Sequence, residues 1–486
     1  MLRLNKQPNI LIFMTDHQRG DTVLPENGAI MPNIQNMASE GLTFSETYCP
    51  TAHCCPARAT FFSGLYPSRS GVWNNVGNDM ALSRSLNDGV RLFSEDLKDA
   101  GYNLGYSGKW HVSAEENPSD RGWEELFVKA KTSSNADKRD PWDRIKEIEK
   151  TAEKERGYGE ILMNGYGSHT LFFENNKHNK DEKAVENGIE AIKKYGKEDK
   201  PWAVFVGASM PHAPYRVPQK YLDMYELDDI KLPNSYSDRM EDKPNYYSKL
   251  REMRFDQLSE KEVKDAIRHF WAMCTYLDDL FGKLLDTLEK TGQEDDTLVL
   301  FCSDHGDYVG DHGLFHKGVP AFKGAYHVPA VLKWPKGIKN SGRVVDEFVS
   351  LADFAPTFTE LAGLEPDDKL TGKSLVEFLD DDEPEEWRDT MFTQCNGVEN
   401  YFTQRSVFTK EFKYVFNGFD YDELYDLRND PDEVNNLQDD PEYDEIKKEL
   451  VKKMWRFAYE QDDPLGRVKY ITVATAPWGP GLAFMD

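Results

Sequence analysis

Short apolar runs alternate with longer stretches of helical periodicity along this chain. Asn9-Ile10-Leu11-Ile12-Phe13-Met14 has no polar interruption after its first residue, the pattern of a strand buried on both faces. Leu92 to Ala100 reads as a short helix stopped by Gly101, and Tyr102 to Tyr106 as a second strand. Ala203-Val204-Phe205-Val206 reads as a third strand, and Glu262 to Thr291 as a long helix ended by Gly292. Thr297 to Cys302 is a fourth strand. Val328 to Trp334 is a fifth, with Pro329 near its start, where a missing N–H is tolerated. This alternation predicts an α/β fold: a mostly parallel sheet flanked by helices.

Polar stretches interrupt the scheme. Lys129 to Glu160 is polar and helix-prone after Pro141; Arg216 to Glu260 is rich in Tyr, Asp, Lys and Pro. Each reads equally well as an insertion near a substrate entrance or as a solvated excursion. Asp380 to Glu386 is acidic and reads as a surface linker. Beyond it, Thr390 to Phe416 has the pattern of hairpin strands, with Asn417-Gly418 as a turn. Glu423-Leu424-Tyr425-Asp426-Leu427 follows, then a helix from Glu445 to Gln461. Two domains are expected: a catalytic α/β domain over 1–378 and a small C-terminal antiparallel α+β subdomain over 379–486. There is no internal repeat.

Composition narrows the function. No run of eighteen apolar residues exists, so no membrane-spanning helix is expected. Met1 to Pro8 lacks an apolar h-region, which points to the cytoplasm rather than a secretory route. Six cysteines without a CxxC pair suggest neither a disulfide framework nor a zinc site. The net charge of -27 argues against nucleic-acid binding and against long-range steering of a polyanion. An anionic substrate group would need a local basic site.

Four predicted strands end in chemically useful residues. The first runs into Thr15-Asp16-His17-Gln18, the second into Ser107-Gly108-Lys109-Trp110-His111, the third into Met210-Pro211-His212-Ala213-Pro214, the fourth into Ser303-Asp304-His305-Gly306-Asp307. Open α/β sheets bind ligands beyond the carboxyl ends of their strands, so these four ends are expected to share one site. Asp16 and Asp304 offer hard oxygen ligands; His305 and His17 offer nitrogen. Arg58, Lys109 and Lys317 supply cations for a tetrahedral oxyanion, and His111 and His212 can exchange protons. Singly, each residue has a plain structural role open to it, such as a helix cap for Asp16 or a turn contact for His212.

The most specific stretch is Cys54-Cys55-Pro56-Ala57-Arg58. Cys54 has Pro56 at plus two and Arg58 at plus four. Cys55 has alanine at both positions, and Cys49 has His53 where the arginine should be. The C-x-P-x-R block resembles the signature of the type I, formylglycine-dependent sulfatases of the alkaline-phosphatase-like superfamily. The resemblance extends to Asn9–Asp16, Gly108–His111, Pro211–Pro214, Ser303–Gly306, His316-Lys317-Gly318 and Glu423–Leu427, in that order along the chain.

The resemblance implies an alkaline-phosphatase-like fold and hydrolysis of a sulfate monoester, with a small sulfated saccharide as the expected substrate. It implies that Cys54 is oxidised to formylglycine by a maturation enzyme. Asp16, Cys54, Asp304 and His305 would hold a divalent cation, Ca²⁺ by family habit, with Mg²⁺ or Mn²⁺ as options. Arg58 would orient the aldehyde hydrate, Lys109 and Lys317 would grip sulfate, His111 would assist the hydrate, and His212 would face the leaving oxygen. His17 stands where many relatives carry a second aspartate, and its part is open. His305 resembles choline-sulfatase-like and phosphonate monoester hydrolase-like members. A phosphonate monoester hydrolase or phosphodiesterase is therefore the alternative reading. A non-catalytic carbohydrate-binding relative is disfavoured by the full set of Cys54, Arg58, Lys109, His111, His212 and Lys317.

Overall fold

A computed structural model describes residues 7–24, 27–78, 80–128, 155–163, 167–174, 180–380, 384–397, 400–418 and 420–484. Most of the polar stretch beginning at Lys129, including its helix-prone part, lies outside the described residues, as do the first six residues and 381–383 of the acidic linker.

Eight strands make the main sheet: β1 Asn9–Asp16, β2 Leu42–Tyr48, β3 Asn103–Gly108, β4 Glu124–Val128, β5 Trp202–Pro211, β6 Thr297–Ser303, β7 Ala330–Lys333 and β8 Arg343–Ser350. Their spatial order is β8-β2-β7-β6-β1-β5-β3-β4. All neighbours are parallel except around β7, which runs against β2 and β6. The mostly parallel sheet is thus as expected. The uninterrupted apolar runs of β1, β5 and β6 sit together at its centre, where both faces are covered.

The helices used below are α1 Pro32–Ser39, α2 Cys54–Ser63, α3 Phe93–Asp99, α4 Lys180–Tyr195, α5 Asn245–Arg254, α6 Glu260–Lys290, α7 Phe354–Leu361 and α8 Asp444–Glu460. Strand alternation explains how they cover the sheet. Ile12 pairs with Phe205, and Phe13 with Val206. Phe205 packs on Phe62 of α2 with ring centroids 5.1 Å apart, in the layer shared with α3 and α7. Phe13 packs on Phe281 of α6 at 5.2 Å, and a side chain at Gly188 of α4 would run into Val206. Successive residues of one strand therefore serve opposite helix layers.

A second sheet is an antiparallel meander of Met391–Cys395, Gln404–Phe408, Phe412–Asn417 and Glu423–Asp426. Met391, Phe408, Val415 and Tyr425 join the main core, while Val407, Tyr414 and Leu424 pack against Leu450, Met454 and Trp455 of α8.

Several elements differ from expectation. Arg216–Glu260 is not only excursion: it carries the ten-residue helix α5 beside the site described below. β2, β4, β8, α2 and α4 are additional to the elements expected. β2 and β8 mix polar with apolar positions near a sheet edge, and α4 buries small residues such as Ala184, Gly188 and Ala191, which leave a weak apolar signature. β7 begins just after Pro329, whose missing N–H keeps it out of the ladder. Among the described residues, no helix is long and apolar enough to cross a membrane.

Candidate active site

The order β6-β1-β5-β3 makes four neighbours of the strands whose ends carry the candidate residues. Their carboxyl ends deliver Asp304 and His305, Asp16 and His17, His212, and Lys109 to one edge of the sheet. The turns that follow are tight. His17, His111 and His316 all adopt positive φ, at 76°, 57° and 67°. Such conformations cost non-glycine residues of order 1–3 kcal/mol each, and they concentrate where function requires a fixed direction. Gly108 has φ 107°, and a Cβ there would lie 2.0 Å from the Gly207 carbonyl oxygen. Only glycine lets β3 turn there and present Lys109.

The other side of the site is the start of α2. All ten residues of this helix are buried. Cys54 opens it, and Pro56 is tolerated because first-turn N–H groups have no partner within the helix. Arg58 lies four residues on, so it shares the Cys54 face. Its Nε donates to Asp304 Oδ2 at 2.7 Å, and its Nη1 donates to the Lys109 carbonyl at 2.9 Å. Both members of the Arg58–Asp304 pair are fully buried.

At the centre lies Cys54 Sγ. It is 3.4 Å from Asp16 Oδ1 and 3.3 Å from His305 Nε2. Lys317 Nζ donates to Sγ at 2.7 Å, to His17 Nε2 at 2.7 Å and to His305 Nε2 at 2.9 Å. Lys109 donates to the second oxygen of Asp16. The imidazoles are oriented from behind. His305 Nδ1–H donates to the Gly306 carbonyl at 2.8 Å, and His17 Nδ1–H donates to Asp307 Oδ2 at 2.9 Å. Each Nε2 lone pair therefore points at the centre.

The electrostatics follow. Burial alone would raise the Cys54 thiol, but Lys109, Lys317 and His305 hold it well below the ordinary thiol range. Burial and the neighbouring thiolate push Asp16 up, yet Lys109, His212 and Lys317 outweigh them and keep it ionised. Burial pushes His17 far down, with Lys317 and His212 adding to the effect. Burial brings His212 to about 4, and its Nδ1–H donates to the Ala213 carbonyl at 2.6 Å, so its Nε2 is an acceptor near neutral pH. His111 also falls through burial and Lys109, with the neighbouring Cys54 opposing them.

One donor atom from each of Asp16, His17, Cys54 and His305 lies within 4.8 Å of the others. Two imidazole nitrogens, a carboxylate oxygen and sulfur form a donor set that fits a divalent cation with nitrogen affinity. Asp304 stands at the edge of this set. Its Oδ1 is 3.7 Å from His305 Nε2, while its Oδ2 is committed to Arg58. Every residue singled out in the sequence comes to this site. Unassigned there were Asp307, which orients His17, and His53, buried and brought to about 3 by burial, Lys317 and His305. A cavity of about 170 Å³ opens beside Lys317 and His212, walled by Tyr246, Leu250 and Arg254 of α5 and by Phe402. The four-residue spacing of the α5 residues was the available signal.

The family model "Sulfatase" matches residues 8–364, and the model "N-sulphoglucosamine sulphohydrolase, C-terminal" matches residues 310–460. The chain is 28% identical to a choline-sulfatase of Rhizobium meliloti over 90% of this chain and 83% of that one. It is 25% identical to an N-acetylglucosamine-6-O-sulfatase of Bacteroides thetaiotaomicron, over 94% and 88%. The crystal structure of a phosphonate monoester hydrolase of Agrobacterium radiobacter superposes with a TM-score of 0.76 at 24% identity, covering 93% of this chain and 96% of that one.

The Arg58–Asp304 contact makes a direct prediction. Arg58→Ala leaves Asp304 as a buried, unpaired carboxylate, and the expected loss is about 3–5 kcal/mol of stability. Denaturant unfolding of the variant reads this; a loss below about 1 kcal/mol would show that the pair does not hold α2 to β6.

Proposed function

The chain belongs to the sulfatase family and is a sulfuric ester hydrolase, and from that premise we propose that it hydrolyses the sulfate monoester of a small saccharide, using a formylglycine made from Cys54 and a bound divalent cation. The observation that carries this reading is the placement of Cys54 at the buried start of α2, within reach of Asp16, His305 and Lys317. A maturation enzyme would supply the oxidation.

When present, the formylglycine hydrate supplies a hydroxyl nucleophile and lets sulfate leave by re-forming the aldehyde. Asp16, His17, Cys54 and His305, with Asp304 beside them, would hold a divalent cation, which would supply charge neutralisation at the sulfate oxygens. The chain's own residues do the rest. Lys109 and Lys317 offset charge that develops on the transferring group. Lys317 Nζ can also hand a proton to the leaving alcohol oxygen. Neutral His212, with its Nδ1–H held by Ala213, is suited to accept a hydrogen bond from the sugar. His111 is the base beside Cys54 that removes a proton as sulfate departs. Arg58 keeps Asp304 and the Lys109 backbone in place.

The donor set bears on the choice among the expected ions. Ca²⁺ prefers oxygen ligands, whereas two imidazoles favour Mn²⁺ or a similar first-row ion.

Three tests follow. Peptide mass should identify the aldehyde at Cys54, and turnover of an aryl sulfate should exceed that of an aryl phosphonate monoester and fall by roughly 10⁴-fold or more in Cys54→Ala. A clear phosphonate preference would sink the sulfate reading in favour of the hydrolase whose fold this chain shares. In Lys317→Ala, an alkyl sulfate should lose roughly 10²–10⁴-fold in rate, and a nitrophenyl sulfate markedly less, because its leaving group needs no proton. Equal losses would remove Lys317 as the acid. Elemental analysis of the purified enzyme should find a first-row divalent ion that is depleted in His17→Gln. Calcium alone, unchanged in the variant, would exclude His17 as a ligand.

A further inference from the structure

The helix that carries the candidate nucleophile is preceded by a histidine that the helix does not use. His53 is the N-cap residue of α2, in extended backbone at φ -139° and ψ 136°. A side chain at this position ordinarily accepts a hydrogen bond from a first-turn N–H. His53 makes no such bond. The Cys55 N–H is taken instead by Asn75 Oδ1 at 3.1 Å, from twenty residues on. The imidazole is therefore released from capping. It is only 3% exposed, and among the described residues it has no hydrogen-bond partner. A side chain this enclosed keeps its polar atoms from partners only at a cost, so what it faces matters. It faces the cavity of about 170 Å³, whose floor it shares with His17, His212 and Lys317.

Its neighbours place it beside the reacting centre. After burial, the charges that act on His53 are those of Lys317, His305 and Cys54. It therefore stands on the side of Cys54 where Lys317 Nζ meets Sγ, whereas Lys109 is paired with Asp16. Burial, Lys317 and His305 bring it to about 3, so the imidazole offers one N–H without adding charge. That neutrality bears on what the site can tell apart. A sulfate monoester and a phosphonate monoester are both tetrahedral monoanions. Lys109, Lys317 and a bound cation respond to charge and hold the two alike. The esters differ in their oxygens: sulfate has three terminal oxygens, and phosphonate has two with a carbon in place of the third. A directional donor reads that difference, because a donor left facing carbon loses its bond and stays desolvated.

We propose that His53 donates a hydrogen bond to a terminal oxygen of the transferring sulfate and thereby selects sulfate esters over phosphonate monoesters. This rests on the sulfatase reading and supplies it with a specificity-determining residue. The charged groups draw two oxygens of either ester. The remaining position faces His53, and it is an oxygen in a sulfate and a carbon in a phosphonate. The fold shared with a phosphonate monoester hydrolase is then no obstacle to sulfate selectivity, since the discriminating group is one side chain at the start of α2.

The test measures kcat/KM for an aryl sulfate and an aryl phosphonate monoester with the same leaving group, in wild-type enzyme and in His53 variants. The ratio of the two is the readout. Both esters meet the same enzyme, so the ratio does not change with the fraction of Cys54 converted to the aldehyde or with metal content. The wild-type ratio should favour sulfate, and it should fall roughly 10- to 100-fold in His53→Ala. His53→Asn and His53→Gln each keep an N–H donor, and one of them should restore part of the ratio; which one identifies the donating nitrogen. An unchanged ratio in folded His53→Ala would overturn the proposal. Should that variant not fold, His53→Phe keeps a ring without the N–H and is judged by the same ratio. Comparable turnover of both esters by wild-type enzyme would overturn the role of His53 without any variant and leave the sulfatase reading intact. Turnover of the phosphonate alone would overturn the sulfatase reading and this proposal with it.

Discussion

The Arg58–Asp304 ion pair is the contact on which the site depends. It joins the first turns of α2 to the end of β6, with neither side chain exposed. Removing two charges from water is expensive, so a buried pair is a poor source of stability. What it supplies is position. Arg58 also donates to the Lys109 carbonyl, so one guanidinium fixes the helix bearing Cys54, the strand bearing Asp304 and the turn bearing Lys109. The i, i+4 spacing of Cys54 and Arg58 is then a geometric requirement. One or two residues on, the guanidinium would leave the face of the helix that carries the thiol.

Charge balance around Cys54 follows from the same arrangement. Asp16, Asp304 and the Cys54 thiolate face Arg58, Lys109 and Lys317, so the unoxidised site is close to neutral. This explains why the thiol is held so low despite burial. A formylglycine hydrate carries no charge. Replacing the thiolate with it leaves the site one charge more positive and releases Lys317 Nζ from Sγ. On the proposed reading, the change that would create the nucleophile would thus also add attraction for a sulfate ester.

Much of this was legible in the sequence, for identifiable reasons. β1 and β6 are covered on both faces, so they read as unbroken apolar runs, and the residues after them could be placed at one sheet edge. The elements that were not legible lack that signature. β8 alternates along the edge of the sheet, and α2 is buried all round, with no amphipathic stripe to betray a helix. The site shows the same division. Cys54, Arg58, Lys109 and Lys317 carry their chemistry in local motifs. His17 could not be assigned from its neighbours, because its role depends on Asp307, which lies 290 residues away and turns its Nε2 toward the centre. Arg254 was hidden in a stretch whose composition resembles a surface excursion.

The strongly acidic chain and its basic cavity are compatible because the two act over different distances. At physiological ionic strength, exposed charges are screened beyond about 8 Å. The net charge of -27 therefore governs solubility and discourages polyanions at long range. It does little inside a cavity whose described lining has no carboxylate. There, partial burial strengthens each contact with Lys317. A small acidic ester that diffuses in meets local cations at close quarters, while a long anionic polymer must first approach a repelling surface.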